Sequence, residues 1–176
     1  MHRIFTVLGT VCLVLFATYY SEGQDAVDVQ RIQRATVYIL QANSTDLTIT
    51  CVGSGTIVSY DGLILTNAHH TTSSPSCPGT ILFIALALSV DEAPVPKYRA
   101  EVVQADLGLD LALLKITREF DGRLIEPGSL PVLPFVQLGD TASLAIDQTV
   151  TIVGYPSIGN DPSLVTRGVV SGFLAE

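Results

Sequence analysis

The 176-residue chain has no tryptophan and a single methionine, and its nine Lys and Arg stand against 17 Asp and Glu, giving a formal net charge of -8. The shortage of basic residues argues against a nucleic-acid partner, because nucleic-acid binding needs a basic cluster. Charged residues reach only 15% while hydrophobic residues reach 48%, so the composition is not that of a disordered chain. No long segment shows helical periodicity, and the 14 glycines favour a turn-rich β protein.

The N-terminal segment has the pattern of a secretory signal peptide. A basic start at residues 2–3 precedes an apolar run over residues 4–20, and small residues for cleavage follow at 21–23. We therefore expect residues 1–23 to be removed and the remainder to be secreted or periplasmic. The alternative is an uncleaved membrane anchor, because an apolar run of about 17 residues lies at the lower edge of spanning length.

Cysteines are few, and one of the three lies in the predicted signal peptide. Its removal leaves Cys51 and Cys77 in an exported domain. Two cysteines in an oxidising compartment are a disulfide candidate.

Short apolar or alternating runs rich in Val, Ile, Thr and Tyr recur between turn residues, as is typical of β-strands. They predict an all-β protein, either a barrel or a sandwich, with an Asp-Gly hairpin turn at 59–62. The segment 30–41 is also compatible with a helical turn at its start. The predicted strands are 35–40, 47–52, 55–58, 63–65, 81–87, 98–104 and 111–116, with two later ones at 149–154 and 164–173.

The prolines and glycines of residues 120–134 leave little room for a strand and predict a connector between two lobes. The first lobe, over 24–119, contains enough predicted strands to close a small barrel. The second lobe, over 135–176, contains about two, and a two-stranded piece is marginal alone. We therefore expect one complete barrel and one partial one.

The residues suited to acid–base chemistry are a histidine and an aspartate. His69 follows the predicted strand 63–65, where a rigid scaffold can aim its ring outward, and Asp110 opens the apolar strand 111–116. A carboxylate beside such a strand is expected to be partly buried and to need a partner such as an imidazole N–H. It would then fix the imidazole tautomer and stabilise the imidazolium that forms on protonation. Taken singly, each residue also has an ordinary structural explanation.

The adjacent His70 raises the question of metal binding. We expect the two rings to point to opposite faces, because neighbouring residues on an extended chain alternate. No Cys, Asp or Glu stands at ligand spacing near them. Neither a metal site nor a cofactor is therefore expected.

Six segments, taken together, carry a family resemblance. They are Gly53-Ser54-Gly55, Thr66-Asn67-Ala68-His69, Asp110-Leu111-Ala112-Leu113-Leu114-Lys115-Ile116, Leu138-Gly139-Asp140, Val153-Gly154-Tyr155-Pro156 and Thr166-Arg167-Gly168-Val169-Val170-Ser171-Gly172. In this combination and order, over about residues 30–174, the chain resembles the trypsin-like serine proteases, particularly the bacterial HtrA/Deg-type branch.

The resemblance implies a trypsin-like double β-barrel, here with the first barrel complete and the second partial, and an active site between the barrels. It implies that His69 is the general base and that Asp110 orients it. His70 stands where the family usually has an apolar residue, so we treat it as a neighbour of the site. Cys51 and Cys77 bracket His69 much as a disulfide brackets the histidine loop in the animal-type enzymes.

The nucleophile that the resemblance requires is missing from the sequence. In the family order, a serine in a Gly-x-Ser-Gly-Gly segment follows the histidine and the aspartate, and its backbone N–H groups build the oxyanion hole. The chain contains no such segment, and neither Ser157 nor Ser171 matches its pattern. We therefore expect an inactive fragment whose remainder would follow Glu176.

The leading hypothesis is thus an exported serine endopeptidase, acting on polypeptides through an acyl-enzyme, of which this chain lacks the nucleophile. The alternative is a catalytically inactive, protease-like peptide-binding module. A third hypothesis is a plain secreted β domain in which His69 and Asp110 are incidental. All three exclude nucleic acid as a partner, and they involve a membrane only if the N-terminal segment stays uncleaved.

Overall fold

The computed structural model describes residues 28–71, 73–155 and 162–173; the predicted signal peptide lies outside them. In the described ranges, no helix is long and apolar enough to cross a membrane. The elements are α1 (Val29–Ala35), β1 (Thr36–Ala42), β2 (Ile49–Ile57), β3 (Leu63–Thr66), β4 (Ile81–Leu86), β5 (Val95–Asp106), β6 (Leu111–Glu119), β7 (Thr149–Gly154) and β8 (Leu164–Val169).

Six antiparallel strands close into a barrel in the order β1-β2-β3-β6-β5-β4, and β4 pairs back with β1. Alternate side chains of each strand point inward, as the period of two requires. The barrel is filled by branched aliphatic side chains that are almost fully buried: Val37, Ile39, Ile57, Ile64, Leu82, Ile84, Leu114 and Ile116. The prediction that the strands of the first lobe close into a small barrel is therefore confirmed.

The short helix α1 replaces the first residue of the first predicted strand. The Asp28 carboxylate caps it by accepting a hydrogen bond from the Arg31 backbone N–H at 2.9 Å. The helix ends at Ala35, because the β-branched and aromatic run that follows has the composition of a strand. The helical turn at the start of 30–41 and the strand after it are thus both present.

The Gly-Ser-Gly segment does not separate two strands, as the sequence pattern had predicted, but lies inside the single strand β2. Its two glycines are needed because neighbouring side chains pack closely against them, not because the chain turns there. A Cβ on Gly55 would lie 2.7 Å from Ile64 Cγ2 and 2.9 Å from Ile39 Cδ1, so a larger residue would clash with the core. A Cβ on Gly53 would lie 2.8 Å from the His70 ring.

The two-stranded sheet of β7 and β8 packs on the barrel through Tyr155. The Tyr155 ring contacts Tyr38 with the centroids 5.1 Å apart, so β1 is covered on its outer face as well as its inner one. The Ser54 hydroxyl accepts a hydrogen bond from the Tyr155 backbone N–H at 2.7 Å. These contacts hold the end of β7 against β2.

The predicted end of the last strand was wrong, whereas the predicted connector and hairpin turn agree with the structure. The strand predicted over 164–173 ends at Val169, because its partner β7 begins at Thr149 and the antiparallel ladder ends with that pair. Residues 120–134 contain no strand, and only a single bridge joins Arg118 to Leu124. In the predicted hairpin turn, it is Gly62 that takes the positive φ, of 83°.

Candidate active site

His69 lies in a single turn of 3-10 helix, Ala68–His70, two residues after β3 ends. The turn is closed by the Thr71 backbone N–H, which donates to the Ala68 carbonyl at 3.0 Å. The expectation that His69 and His70 point to opposite faces was wrong, because the backbone is helical here and not extended. The two rings instead lie together, with their centroids 3.9 Å apart and their planes at 49°.

A tight loop between β5 and β6 positions Asp110 beside His69. The Asp106 carboxylate accepts hydrogen bonds from the backbone N–H groups of Gly108 and Leu109, at 2.8 and 2.9 Å. Asp110 itself has a φ of 53°, a left-handed conformation that aspartate tolerates better than most residues. The strand β6 then begins at Leu111. The loop therefore turns the Asp110 side chain towards the end of β3.

The structure brings His69 and Asp110 into direct contact. The ring Nδ1 of His69 lies 2.8 Å from Asp110 Oδ1 and 2.7 Å from Oδ2, and the His69 backbone N–H donates to Oδ1 at 3.0 Å. An ionised carboxylate only accepts hydrogen bonds, so Nδ1 carries the hydrogen and Nε2 is left with a lone pair. The His69 side chain is 56% exposed, which leaves room for a reacting group beside it.

Asn67 is a part of the site that the sequence reasoning missed. Its side-chain amide donates to the Asp110 carbonyl at 3.2 Å and to Asp110 Oδ2 at 3.1 Å. The amide therefore holds both the backbone and the carboxylate of Asp110 in place. The available signal was an amide side chain two residues before the histidine, within a segment already singled out.

The hydrogen bonds around Asp110 also set its charge. The His69 backbone N–H is the largest cause that holds the pKa of Asp110 below its ordinary value, and the His69 ring and the Asn67 amide act in the same direction. Asp110 is thus a carboxylate at neutral pH, and the 42% exposure of its side chain also favours the charged form. Together the pair has the arrangement by which a carboxylate orients an imidazole that acts as a base.

His70 occupies a more enclosed position than His69. Its ring lies against the Gly53 backbone, and its Nδ1 is buried without a hydrogen-bond partner in the described part of the chain. Burial is the main cause that lowers the pKa of His70 below 6.5; the neighbouring His69 lowers it further, and Asp110 opposes the shift. His70 is therefore neutral at pH 7.

This burial predicts an acid-dependent loss of stability. Because the pKa of His70 is lower in the folded chain than the unfolded value of 6.5, the unfolded state binds the proton first. The free energy of unfolding is therefore expected to fall as the pH drops below about 6.5 towards the folded pKa. Urea unfolding between pH 7.5 and 5 should show a steeper fall for the parent chain than for His70→Phe. Identical pH profiles would contradict the prediction.

Cys51 and Cys77 are joined by a disulfide, with their Cα atoms 5.5 Å apart. Cys51 lies on β2 and Cys77 lies in the segment before β4, so the bond closes the part of the chain that contains β3 and the histidine turn. It joins the end of this segment, at Cys77, to the barrel strand β2. Both of the predicted partners are therefore brought together.

The two serines that do not match the nucleophile pattern, Ser157 and Ser171, gain no support as nucleophiles from the described residues. Ser171 lies beyond the end of β8, is exposed, and has no hydrogen bond to His69 in the part of the chain that the structure describes. Ser157 lies outside the described residues. No group of three His, Cys, Asp or Glu with metal-binding geometry occurs in residues 28–71, 73–155 or 162–173.

Comparison with known proteins relates this site to characterised families. A family model described as a trypsin-like peptidase domain matches residues 53–175. The magnetosome formation protease MamE of Magnetospirillum gryphiswaldense is 32% identical over 130 residues, which cover 74% of this chain and 14% of that protein. Serine protease HTRA1 of Xenopus laevis is 37% identical over 120 residues, 68% of this chain and 21% of HTRA1.

A third relative, a probable periplasmic serine endoprotease DegP-like of Rickettsia prowazekii, is 32% identical over 120 residues, 68% of this chain and 19% of that protein. The chain thus spans about a fifth or less of the length of these relatives. The family-model match begins at the Gly-Ser-Gly segment of β2 and includes both His69 and Asp110.

Proposed function

Because the chain belongs to the trypsin-like peptidase family, we propose that it supplies the histidine and aspartate of an exported serine endopeptidase. In this proposal His69 is the general base and Asp110 is its orienting carboxylate. The single observation that carries it is the contact of Asp110 with the His69 Nδ1 at 2.7 Å, which leaves Nε2 directed away from the carboxylate and free to accept a proton. The similarity to HtrA- and DegP-type serine proteases supports the same class of reaction.

The chemistry would proceed by acyl transfer. His69 Nε2 would take the proton of a serine hydroxyl as its oxygen attacks the peptide carbonyl carbon, and would then give that proton to the leaving amine. The amine departs and leaves an acyl-enzyme ester, which water hydrolyses with the same histidine as base. Asp110 would stabilise the imidazolium that exists between these transfers, and Asn67 would keep the carboxylate in place.

We also propose that the 176-residue chain alone does not hydrolyse peptides. It contains no Gly-x-Ser-Gly-Gly segment to provide the attacking oxygen and the oxyanion-hole donors. Loss of one member of the triad removes about four powers of ten or more of the rate. The complete enzyme would therefore be a longer product of the same gene that carries this segment.

Labelling with a fluorophosphonate probe tests this part of the proposal. The purified 176-residue chain is expected to remain unlabelled, whereas a longer gene product containing Gly-x-Ser-Gly-Gly should label once per chain. An active trypsin-like protease treated in parallel serves as the positive control. Stoichiometric labelling of the 176-residue chain would contradict the absence of a nucleophile, and a downstream reading frame without the segment would contradict the endopeptidase.

The missing segment also favours a second candidate function, an inactive peptide-binding module. In that case the chain should bind an unfolded polypeptide such as reduced casein with unchanged affinity in His69→Ala, because binding would not need the base. A peptidase fragment has no such requirement to bind polypeptide by itself. Binding by the chain together with the absence of the serine segment from the gene would replace the endopeptidase by this module.

Export and the domain boundaries are further parts of the proposal. Residues 1–23 would be the signal peptide, 24–119 the first barrel, 120–134 the connector and 135–176 part of a second barrel. Export is supported by the signal-like N-terminus, by the disulfide and by the periplasmic description of the DegP-like relative. An N-terminus found at Gln24 in the exported protein would agree with it, and retention of Met1 would favour the anchor.

A further inference from the structure

We infer that His70 is a positioning residue for His69: its ring fills the space between the Gly53 backbone and the His69 imidazole and thereby keeps that imidazole in line with Asp110. The inference rests on the proposed role of His69 as the base.

The first support is the contact on the barrel side. Gly53 shares the inward face of β2 with Gly55 and Ile57, because side chains alternate along the strand. A Cβ built on Gly53 would lie 2.8 Å from both Cδ2 and Cγ of His70 and 3.1 Å from its Cβ. These three are the nearest atoms, so the position that a side chain at residue 53 would take is occupied by the His70 ring. The ring therefore fills the space that the absent side chain of Gly53 leaves open beside β2.

The second support is the contact on the other side, with the base itself. The His69 and His70 ring centroids are 3.9 Å apart, closer than most aromatic pairs. The His70 ring thus lies directly beside the His69 imidazole, with the two ring planes tilted by 49°. The edge of the same imidazole is held by Asp110. The ring contact and the hydrogen bonds therefore bear on the imidazole from two sides.

The third support is the charge of the ring. The groups that face His70 are His69 and Asp110 on the loops beside it and the uncharged Gly53 on β2. Burial holds the pKa of His70 below its ordinary value, so the ring is neutral at pH 7. A proton taken up by His69 then meets no second cation at 3.9 Å. His70 can therefore pack like an apolar ring while it touches the base.

The test uses a signature of the His69–Asp110 hydrogen bond that does not require peptidase activity. In the purified 176-residue chain, the Nδ1 proton shared with a carboxylate should give a far-downfield proton resonance, assigned by its loss in Asp110→Asn. His70→Ala should raise the exchange of this proton with water by about tenfold, the scale of a lost aromatic contact. His70→Phe should keep it near the parent value, because the ring is retained.

A second variant, Gly53→Ala, displaces the His70 ring without altering the His70 side chain itself. Gly53 does not have a positive φ, so Gly53→Ala adds a methyl group without backbone strain and acts by displacing His70. It should raise the exchange as His70→Ala does, and should add nothing in the His70→Ala background. Gly139→Ala is the matched control, because a Cβ there meets nothing within 4 Å. Far-ultraviolet circular dichroism confirms that each variant is folded.

Three results would overturn the inference. They are unchanged proton exchange in folded His70→Ala, an equal rise in exchange in His70→Phe and His70→Ala, or an additive effect of Gly53→Ala in the His70→Ala background. If His70→Ala fails to fold, the inference is tested by proton exchange in Gly53→Ala, which should rise, and in His70→Phe, which should stay near the parent value. Failure of the proposed function is distinguishable, because a downfield resonance that survives Asp110→Asn would refute the His69–Asp110 pair whatever His70 does.

Discussion

Replacing Asp110 with Asn is expected to lower kcat for peptide hydrolysis about 10⁴-fold in the serine-bearing gene product that the proposed function requires, with little change in KM. The reason is the tautomer of His69. The Asp110 carboxylate accepts from Nδ1 and leaves Nε2 free. An asparagine amide presents an N–H group to Nδ1 instead, so the ring hydrogen moves to Nε2 and the base loses its lone pair. Initial rates on a peptide substrate measure the effect.

Asp61→Asn is the matched control for that substitution. Asp61 is also a carboxylate with a lowered pKa, held down mainly by its hydrogen bond with Lys115. It lies in the turn before β3, however, whereas His69 follows the other end of that strand. The control should therefore keep kcat within about twofold, as expected of a surface ion pair. Similar losses in both variants, or less than about a tenfold loss in Asp110→Asn, would refute the assigned role.

Loss of the bond between Cys51 and Cys77 is expected to lower the free energy of unfolding by about 3 kcal/mol, because the two residues are 26 positions apart and the bond restricts the unfolded chain. Cys51→Ala with Cys77→Ala removes it. The closed segment carries the histidine turn, so backbone amide exchange at 68–71 should also increase. Urea unfolding and hydrogen exchange measure the two effects on the same samples.

Reduction provides the control for the disulfide prediction. A phosphine reductant should destabilise the parent chain by about the same amount as the double substitution, and should leave the double variant unchanged. Thiol titration of the unfolded, unreduced chain without residues 1–23 should find no free thiol. Two free thiols there, or equal stability with and without reductant, would contradict the bond.

The fold class was largely predictable from the sequence, and the family match together with the closed six-stranded barrel confirms it. The alternating runs identified the positions of nearly all the strands because alternation is a local property of the chain. Strand ends were less predictable: β8 ends at Val169 where its partner begins, and β2 continues through Gly53 and Gly55. Both outcomes depend on neighbouring strands that the local pattern does not describe.

The candidate site was predictable in its residue types but not in its geometry. The motif order singled out His69 and Asp110, and the structure adds Asn67, which binds the same carboxylate. The expectation of opposed rings for His69 and His70 failed, because it assumed an extended backbone where the chain forms a helical turn. In the structure Ala68 of this turn is fully buried, and the turn lies within the segment that the disulfide closes.

The amino-acid order alone establishes the acidic charge, the turn-rich β character, the histidine and aspartate in family order, and the lack of Gly-x-Ser-Gly-Gly within these 176 residues. Three contacts are visible only in the folded chain: β4 pairs with β1 to close the barrel, Asp110 meets the Nδ1 of His69, and the His70 ring lies beside Gly53. The difference follows from distance along the chain. Alternation and turn preference act over a few residues, whereas each of these contacts joins segments far apart in sequence and exists only in one register of the closed barrel.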